Sequence, residues 1–201
     1  MILTKLILPE QFTELYQRAL STLPWDYIEG LKYKSTFEES VVARMCMQDI
    51  VSQECRIEHF LAHSDENETP QCESGIFWSV AHKKHLVFIG VWDIPLWVDI
   101  EFIAEREVTM LSTFTDEEYA IVWWKTLENF YVLWTAKESI LKYQLKSIDS
   151  LEWIEAISIE EEEKCIGEIV FHTKLVLQDS FWEEFTVYSY TKENIVIAIC
   201  F

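Results

Sequence analysis

The sequence of 201 residues predicts an α+β protein. Half of the residues are hydrophobic, and only four glycines and four prolines occur, which favours a compact fold with short loops. Helical periodicity and short apolar runs of strand length occur in both parts of the chain. We therefore expect two similar halves, residues 1–95 and 96–201, each with a small, mostly antiparallel sheet packed on a long helix.

Three segments have the apolar spacing of helices. They are Pro9–Leu20, Ser35–Ala62 and Thr115–Lys142. The last segment is long enough for two helices. It begins with a Thr-x-x-Glu capping box, in which Glu118 stands three residues after the first threonine.

Seven apolar runs have the length of strands. They are Ile76–Ala81, His85–Val91, Leu96–Phe102, Leu151–Ile159, Glu168–Leu177, Phe185–Tyr190 and Ile195–Phe201. The first two are predicted to form a hairpin through His82-Lys83-Lys84. The acidic run Glu160–Glu163 is predicted to be a solvated turn between strands, and Ser64–Ser74 is predicted to be a loop.

The charge balance limits the partners of the protein. Sixteen Lys and Arg residues face 35 Asp and Glu residues, so the net charge is −19. This excess of acid opposes binding to nucleic acid or to an anionic membrane surface. A phosphate-containing ligand would require a metal cation and a local group of basic residues.

The cysteines and the hydropathy pattern favour a cytoplasmic protein. The five cysteines have no CxxC spacing, which argues against a disulfide framework and a tetrahedral zinc site. The N-terminal apolar segment is short and contains Lys5, unlike a signal peptide. No run of eighteen uncharged apolar residues occurs, so no membrane-spanning helix is expected.

Two carboxylates in the third predicted strand are candidates for metal binding. In Val98-Asp99-Ile100-Glu101 the two acidic residues are two positions apart, so their side chains project from the same face of the strand. Two carboxylates among apolar neighbours repel each other unless a cation joins them, and Mg²⁺ prefers such oxygen ligands. The alternative is an edge strand whose polar face lies in water.

A second candidate lies in the long helical segment. Trp134, Glu138 and Lys142 are spaced by four residues and therefore share one stripe of a helix, with Lys137 beside it. A tryptophan on the same stripe suggests that the two charged residues lie at the rim of a cleft. A solvated Glu–Lys pair is the simpler alternative.

Together these segments resemble the 4′-phosphopantetheinyl transferase superfamily. The resemblance is carried by Val98-Asp99-Ile100-Glu101, then Phe114-Thr115-Asp116-Glu117-Glu118, then Trp134-Thr135-Ala136-Lys137-Glu138-Ser139-Ile140-Leu141-Lys142. The chain length and Val80-Ala81-His82 resemble the larger, pseudo-dimeric class, in which the active site lies at the junction between two halves.

The resemblance implies an enzyme that moves the 4′-phosphopantetheine arm of coenzyme A onto a serine of an acyl or peptidyl carrier protein and releases 3′,5′-ADP. It implies Mg²⁺ held by Asp99, Glu101 and Glu138, with Glu138 also serving as general base. Lys142 and His82 would contact the phosphates from opposite sides of the cleft. A pseudo-dimeric chain is expected to be a monomer.

Further coenzyme A contacts are expected by the same resemblance. Lys137 is a candidate helper at the phosphates. Lys32, Lys34 and Arg44 are candidates for the 3′-phosphate and adenine side, because the family uses basic residues from its first half there.

Three departures from the family pattern motivate an alternative. Trp97 stands where the family has glycine, Ala81 replaces the serine before the histidine, and no glycine follows Lys142 within a few residues. A catalytically degenerate relative, which binds a carrier protein or nucleotide without transfer, is therefore considered. A Mg²⁺-dependent phosphoester hydrolase on the same carboxylates is a third hypothesis.

Other residues have simpler interpretations. His59 and His63 have a helical i, i+4 spacing that can bind zinc, although no third ligand is evident. Trp123, Trp124 and Tyr131–Leu133 are expected in the core, with a carrier docking surface as the alternative.

Overall fold

The computed structural model describes residues 2–32, 36–57, 60–62, 75–104 and 108–201. Five α-helices lie in this described part: α1 (Pro9–Thr22), α2 (Trp25–Leu31), α3 (Phe37–Glu54), α4 (Asp116–Ile121) and α5 (Leu127–Tyr143). The eight strands there are β1 (Leu3–Ile7), β2 (Phe77–Lys83), β3 (Leu86–Trp92), β4 (Trp97–Phe102), β5 (Ile154–Ile166), β6 (Ile169–Asp179), β7 (Glu184–Lys192) and β8 (Ile195–Cys200). Short 3₁₀ helices span Val108–Ser112 and Ile148–Trp153.

The strands form two antiparallel sheets. The first has three strands in the order β1-β3-β2, and the second has five strands in the order β4-β8-β7-β6-β5. This arrangement confirms the predicted α+β class. No helix among the described residues is long and apolar enough to cross a bilayer.

Alternation along the strands places the two sheets face to face between helices. In β3, Val87 and Ile89 join the core with α1 and α3, whereas Leu86 and Phe88 join a core shared with the second sheet. In the second sheet, Val98 and Ile197 are among the residues that face the first sheet. The opposite face of that sheet packs on α4 and α5. The layers are therefore helices, sheet, sheet, helices.

Two contacts fix the sheets relative to each other. The backbone N–H of Val98 in β4 donates to Ser79 Oγ in β2 over 3.1 Å. Thr4 Oγ1 in β1 donates to the carbonyl oxygen of Ile166 at the β5–β6 turn over 2.8 Å. The adjacent Gly167 lies so close to Thr4 that a Cβ at this position would clash with the Thr4 backbone nitrogen.

The predicted helices are present, and the structure defines their first and last residues. Pro9–Leu20 is confirmed as α1, and the Thr115–Lys142 segment forms α4 and α5. The capping box is present, because Thr115 Oγ1 accepts from the N–H of Glu118, whose carboxylate accepts from the N–H of Thr115. Among the described residues of the segment predicted from Ser35 to Ala62, the helix is α3, which ends at Glu54, close to the break expected near Ser52. The strand β1 and the helix α2 were not predicted.

Two strand predictions were wrong in detail. The β2–β3 turn was predicted at His82-Lys83-Lys84 but is formed by Lys84 and His85. Lys84 and His85 adopt positive φ values of 48° and 66°, as in a tight two-residue hairpin. The acidic run Glu160–Glu163 lies within β5 and is not a turn. At the sheet edge, this strand can carry a charged row exposed to solvent. The predicted loop Ser64–Ser74, His59 and His63 lie outside the described residues.

Candidate active site

The two β4 carboxylates lie on the face of the second sheet that packs against α5. Asp99 is paired in register with Ala198 and Glu101 with Val196, and both β8 residues belong to the α5-facing core. Asp99 is 4% exposed and Glu101 is 6% exposed. Because a buried carboxylate is costly without a compensating charge, these positions require cationic partners.

Lys142, in the last turn of α5, supplies such a charge to Asp99. Its Nζ lies 2.5 Å from Asp99 Oδ1 and donates to the carbonyl oxygen of Val98 over 3.3 Å. Burial by itself would lower the pKa of Lys142, but the charge of Asp99 outweighs burial and raises it. Lys142 is therefore a permanent ammonium group that joins α5 to β4.

Glu138 lies one helical turn before Lys142 and close to Asp99. Its Oε2 accepts a hydrogen bond from Trp134 Nε1 over 2.8 Å, which fixes the carboxylate on the stripe predicted from the sequence. Burial, followed by the negative charge of Asp99, raises the pKa of Glu138 to about 8. This carboxyl group can therefore hold or release a proton near neutral pH.

The donor set at this site fits a hard divalent cation in chemical terms. Asp99 Oδ2 is buried and receives no hydrogen bond from the described residues, and the neighbouring carboxylates are oxygen ligands. In the structure, Asp99 forms an ion pair with Lys142 and Glu101 forms an ion pair with Lys83. Within the described ranges, no group of three or more His, Cys, Asp or Glu side chains is arranged so that it could hold a metal ion as it stands.

The region that carries this geometry also matches a known family. The family model of the 4′-phosphopantetheinyl transferase superfamily matches residues 98–200, just over half of the chain. The chain belongs to this superfamily. The match begins at β4 and ends in β8, so it contains Asp99, Glu101, Glu138 and Lys142. A comparison with curated proteins found no matching relative.

One site residue was missed at the level of the sequence. Lys83, the last residue of β2, places its Nζ 2.7 Å from Glu101 Oε1 and thereby bridges the two sheets. Strand alternation could have predicted this contact, because Lys83 lies on the same face of β2 as Ser79, which contacts β4. Assigning Lys83 to the turn concealed this relationship.

Lys137 lies in a different environment from the other charged residues of the phosphopantetheinyl transferase motif. It forms an ion pair with Glu118 of α4, with 2.5 Å between Nζ and Oε1, and its side chain is only 3% exposed. Its ammonium group also lies 4.7 Å from the centroid of the Phe114 ring. Burial lowers the pKa of Lys137, and Glu118 offsets part of this effect. The pair fastens α4 to α5, and the coenzyme A contact of Lys137 stays a prediction.

A cavity of about 700 Å³ adjoins this ion pair. Trp134 and Lys137 of α5 line it together with the 3₁₀ segment before β5 and the start of α4. Trp134 also holds Glu138, so one side chain contacts both the cavity and the carboxylate site.

The basic candidates from the first half lie in different environments. His82 is half-buried in β2 and shares a strand face with Trp78, which packs towards the helices of the first half. Arg44 in α3 is buried, and its guanidinium lies 5.2 Å from the centroid of the Trp78 ring. Lys32 is exposed at the end of α2 and pairs with Glu29 over 3.0 Å. Lys34 lies outside the described residues.

The structure accounts for the missing glycine after α5. The helix ends in a Schellman motif, in which the N–H of Lys146 donates to the carbonyl oxygen of Leu141 and the N–H of Leu145 donates to that of Lys142. Leu145 adopts the left-handed conformation, with φ of 54°. A leucine therefore occupies the position at which glycine is usual.

Trp97 is accommodated by aromatic packing. Its ring lies edge-on to Tyr143, with 4.5 Å between centroids, and Tyr143 in turn contacts Phe185 over 5.5 Å. Because Trp97 shares a strand face with Asp99 and Tyr143 follows Lys142, these rings cover the end of the site nearest the C-terminus of α5.

Proposed function

We propose that the protein transfers the 4′-phosphopantetheine group of coenzyme A to a serine of an acyl or peptidyl carrier protein and releases 3′,5′-ADP. The observation that carries this proposal is the convergence of Asp99 and Glu101 from β4 with Glu138 and Lys142 from α5, within the region that matches the superfamily. The convergence unites residues 43 positions apart in sequence.

The reaction makes definite demands on the side chains. The serine hydroxyl oxygen attacks the phosphorus of the phosphopantetheine, and the bond from this phosphorus to the oxygen of the departing 3′,5′-ADP breaks. We propose that the ionised form of Glu138 accepts the serine proton, because its raised pKa makes this carboxylate a stronger base than an ordinary glutamate. Lys142 would hold the diphosphate through its half-exposed ammonium group.

The carboxylates would hold Mg²⁺ during this reaction. Asp99, Glu101 and Glu138 are the proposed ligands, and the orphaned Asp99 Oδ2 supports this assignment. A bound Mg²⁺ would neutralise and orient the diphosphate. To bind the ion, Glu138 would have to release the proton that its raised pKa retains near neutral pH.

The larger, pseudo-dimeric class supplies the proposed architecture. We assign residues 1–95 and 96–201 to the two halves, with coenzyme A between them and the protein acting as a monomer. The presence of a separate sheet with outer helices in each segment supports this division. Lys32, Lys34 and Arg44 would form the adenine and 3′-phosphate side, and His82 would contact the phosphates across the cleft from Lys142. A cytoplasmic location fits the four described cysteines, which are free thiols.

Intact-mass measurement of an apo carrier protein tests the proposal. Incubation with the purified protein, coenzyme A and Mg²⁺ should add one phosphopantetheine to the carrier. Glu138→Gln and Asp99→Ala should abolish the addition. Glu128→Gln is the matched control, because Glu128 is an exposed carboxylate on the same helix.

The alternative of a non-catalytic relative makes a different prediction. The ammonium groups on Asp99 and Glu101 favour it, because they compete with a metal ion for the same oxygens. Coenzyme A binding by calorimetry, with no mass change in any of several carriers, would support binding without transfer. Release of ADP or phosphate without a carrier would instead indicate a hydrolase.

A further inference from the structure

Lys83 belongs to the first sheet but lies against a carboxylate of the second. Its Nζ is 2.7 Å from Glu101 Oε1, and its side chain is 39% exposed whereas that of Glu101 is 8% exposed. The hydrogen bond from the Val98 N–H to Ser79 Oγ, four residues earlier on the same face of β2, fixes the two strands. The contact between the sheets therefore determines where this ammonium group lies.

Lys142 occupies a parallel position at Asp99. Its side chain is also about two-fifths exposed, and it reaches its carboxylate from α5. Each carboxylate of the β4 pair thus has a lysine partner whose side chain is partly exposed. Long, partly solvated lysine side chains can exchange one anionic partner for another at little cost.

The charge balance of the site indicates what such an exchange would achieve. Asp99 and Glu101 are each paired with one lysine ammonium group, so these two ion pairs carry no net charge together. A divalent cation on the carboxylates would convert this to a net positive charge. Both ammonium groups would then face an anion more favourably than a neutralised carboxylate.

We propose that Lys83 is a phosphate-binding residue. In the absence of metal it forms an ion pair with Glu101. Once a divalent cation binds this carboxylate, Lys83 contacts the diphosphate of the nucleotide substrate. This inference rests on the proposed function and adds a residue to the same site. It predicts that Lys83 weakens binding of the metal ion and strengthens binding of the nucleotide. Lys83 competes with the metal ion for Glu101, and it assists the nucleotide once the metal is bound.

Calorimetry on the full chain separates these effects. In Lys83→Gln, the affinity for Mn²⁺ alone should rise about tenfold, because a competing ammonium group is removed. The affinity for coenzyme A at saturating Mg²⁺ should fall about tenfold, because a charged hydrogen bond is lost. Lys83→Arg should retain coenzyme A binding. Lys84→Gln removes the same charge from the adjacent exposed turn residue and should match the wild type.

The results of these titrations either support or overturn the role assigned to Lys83. A tighter Mn²⁺ complex together with weaker coenzyme A binding supports the assignment. A loss in both equilibria indicates a structural role for the Lys83–Glu101 pair and overturns it, as does a variant indistinguishable from Lys84→Gln. Wild-type protein that binds neither Mn²⁺ nor coenzyme A overturns the proposed function itself, and the role of Lys83 with it.

Discussion

Lys142 and Asp99, 43 residues apart in sequence, form an ion pair with 2.5 Å between Nζ and Oδ1. The pair joins the last turn of α5 to the middle of β4. The Asp99 side chain is buried whereas the Lys142 side chain is partly exposed, so the two partners are not energetically equivalent.

Removal of the lysine should therefore destabilise the protein. Lys142→Met leaves the buried Asp99 charge without this partner, and the free energy of unfolding should fall by roughly 1–3 kcal/mol, less than for a fully buried pair because Lys142 is partly solvated. Urea unfolding measures this change. The double variant Asp99→Asn/Lys142→Met should lose less free energy of unfolding than the sum of the losses in the two single variants. Additive losses would show that the pair contributes no coupling energy.

The raised pKa of Glu138 predicts a pH dependence of stability without metal. The folded protein retains a proton on Glu138 up to about pH 8, whereas the unfolded chain releases it near the ordinary value of 4.5. The folded state thus binds more protons between these values, so this group should lower stability as pH rises from about 5 to 8. Thermal unfolding in a chelator should show this decline.

The matched variant is Glu138→Gln, which cannot ionise. Its melting temperature should decline less over the same pH range, and at pH 8 it should exceed that of the wild type. Parallel pH profiles for the two proteins would contradict the assigned pKa of Glu138. Because the variant should also be inactive, stability and activity are expected to change in opposite directions.

The left-handed Leu145 predicts a stabilising substitution. Leu145→Gly removes the Cβ that disfavours φ of 54°, and the free energy of unfolding should rise by roughly 1 kcal/mol. Leu145→Ala retains the Cβ and is the control, for which no gain is expected. Chemical denaturation distinguishes them. Equal stability of the two variants would mean that backbone strain at Leu145 is negligible.

Two glycines with positive φ provide a test of the contact between the sheets. Gly167 has φ of 60° and lies against Thr4, whereas Gly75 has φ of 76° with no atom within 4 Å of its Cβ position. Alanine at Gly75 should cost only the conformational strain, roughly 1–2 kcal/mol. Alanine at Gly167 should cost distinctly more, because the Thr4 backbone must move. Similar losses in denaturant unfolding would exclude a tight contact.

An exposed aromatic surface near the end of α5 is a candidate for carrier docking. Phe181 is 76% exposed in the β6–β7 turn, beside Lys146 at 5.2 Å. Asp179 holds this turn by accepting from the N–H of Phe181 and from Gln144 Nε2. Phe181→Ser should raise the KM for the carrier severalfold and leave the KM for coenzyme A unchanged.

Ile157→Ser in β5 is the control for this surface, because Ile157 is an exposed apolar residue that is not assigned to carrier docking. An acidic carrier would be repelled at long range by a protein of charge −19, so the rate should increase with added salt. A rate that falls steeply with salt would show that charge attraction governs docking.

The buried residues of α5 show where sequence reasoning was sufficient. Its apolar positions and the Thr115–Glu118 capping box are local signals, and both elements formed as predicted. Tyr131, Val132 and Leu133 are buried, as expected, whereas Trp123 and Trp124 are exposed. The exposed pair lies in the turn between two helices, where burial depends on distant parts of the chain.

Elements whose stability comes from partners elsewhere in the chain were harder to predict. The strand β1 contains Lys5 and is short, and it is defined by its pairing with β3 more than eighty residues later. In the acidic run of β5, Glu160 and Glu161 pair with β6 and a register irregularity follows before Lys164, so the composition resembles that of a loop while the conformation is extended.

The sequence alone determined the α+β class, the carboxylate pair on one face of β4 and the Trp134–Glu138–Lys142 stripe, because strand and helix periods fix these relations over a few residues. Tertiary structure alone decided that Lys142 faces Asp99, that Lys83 reaches Glu101 from another sheet, and that Lys137 pairs with Glu118. The choice of partner for each lysine depends on how the sheets and helices pack, and no local pattern encodes this packing.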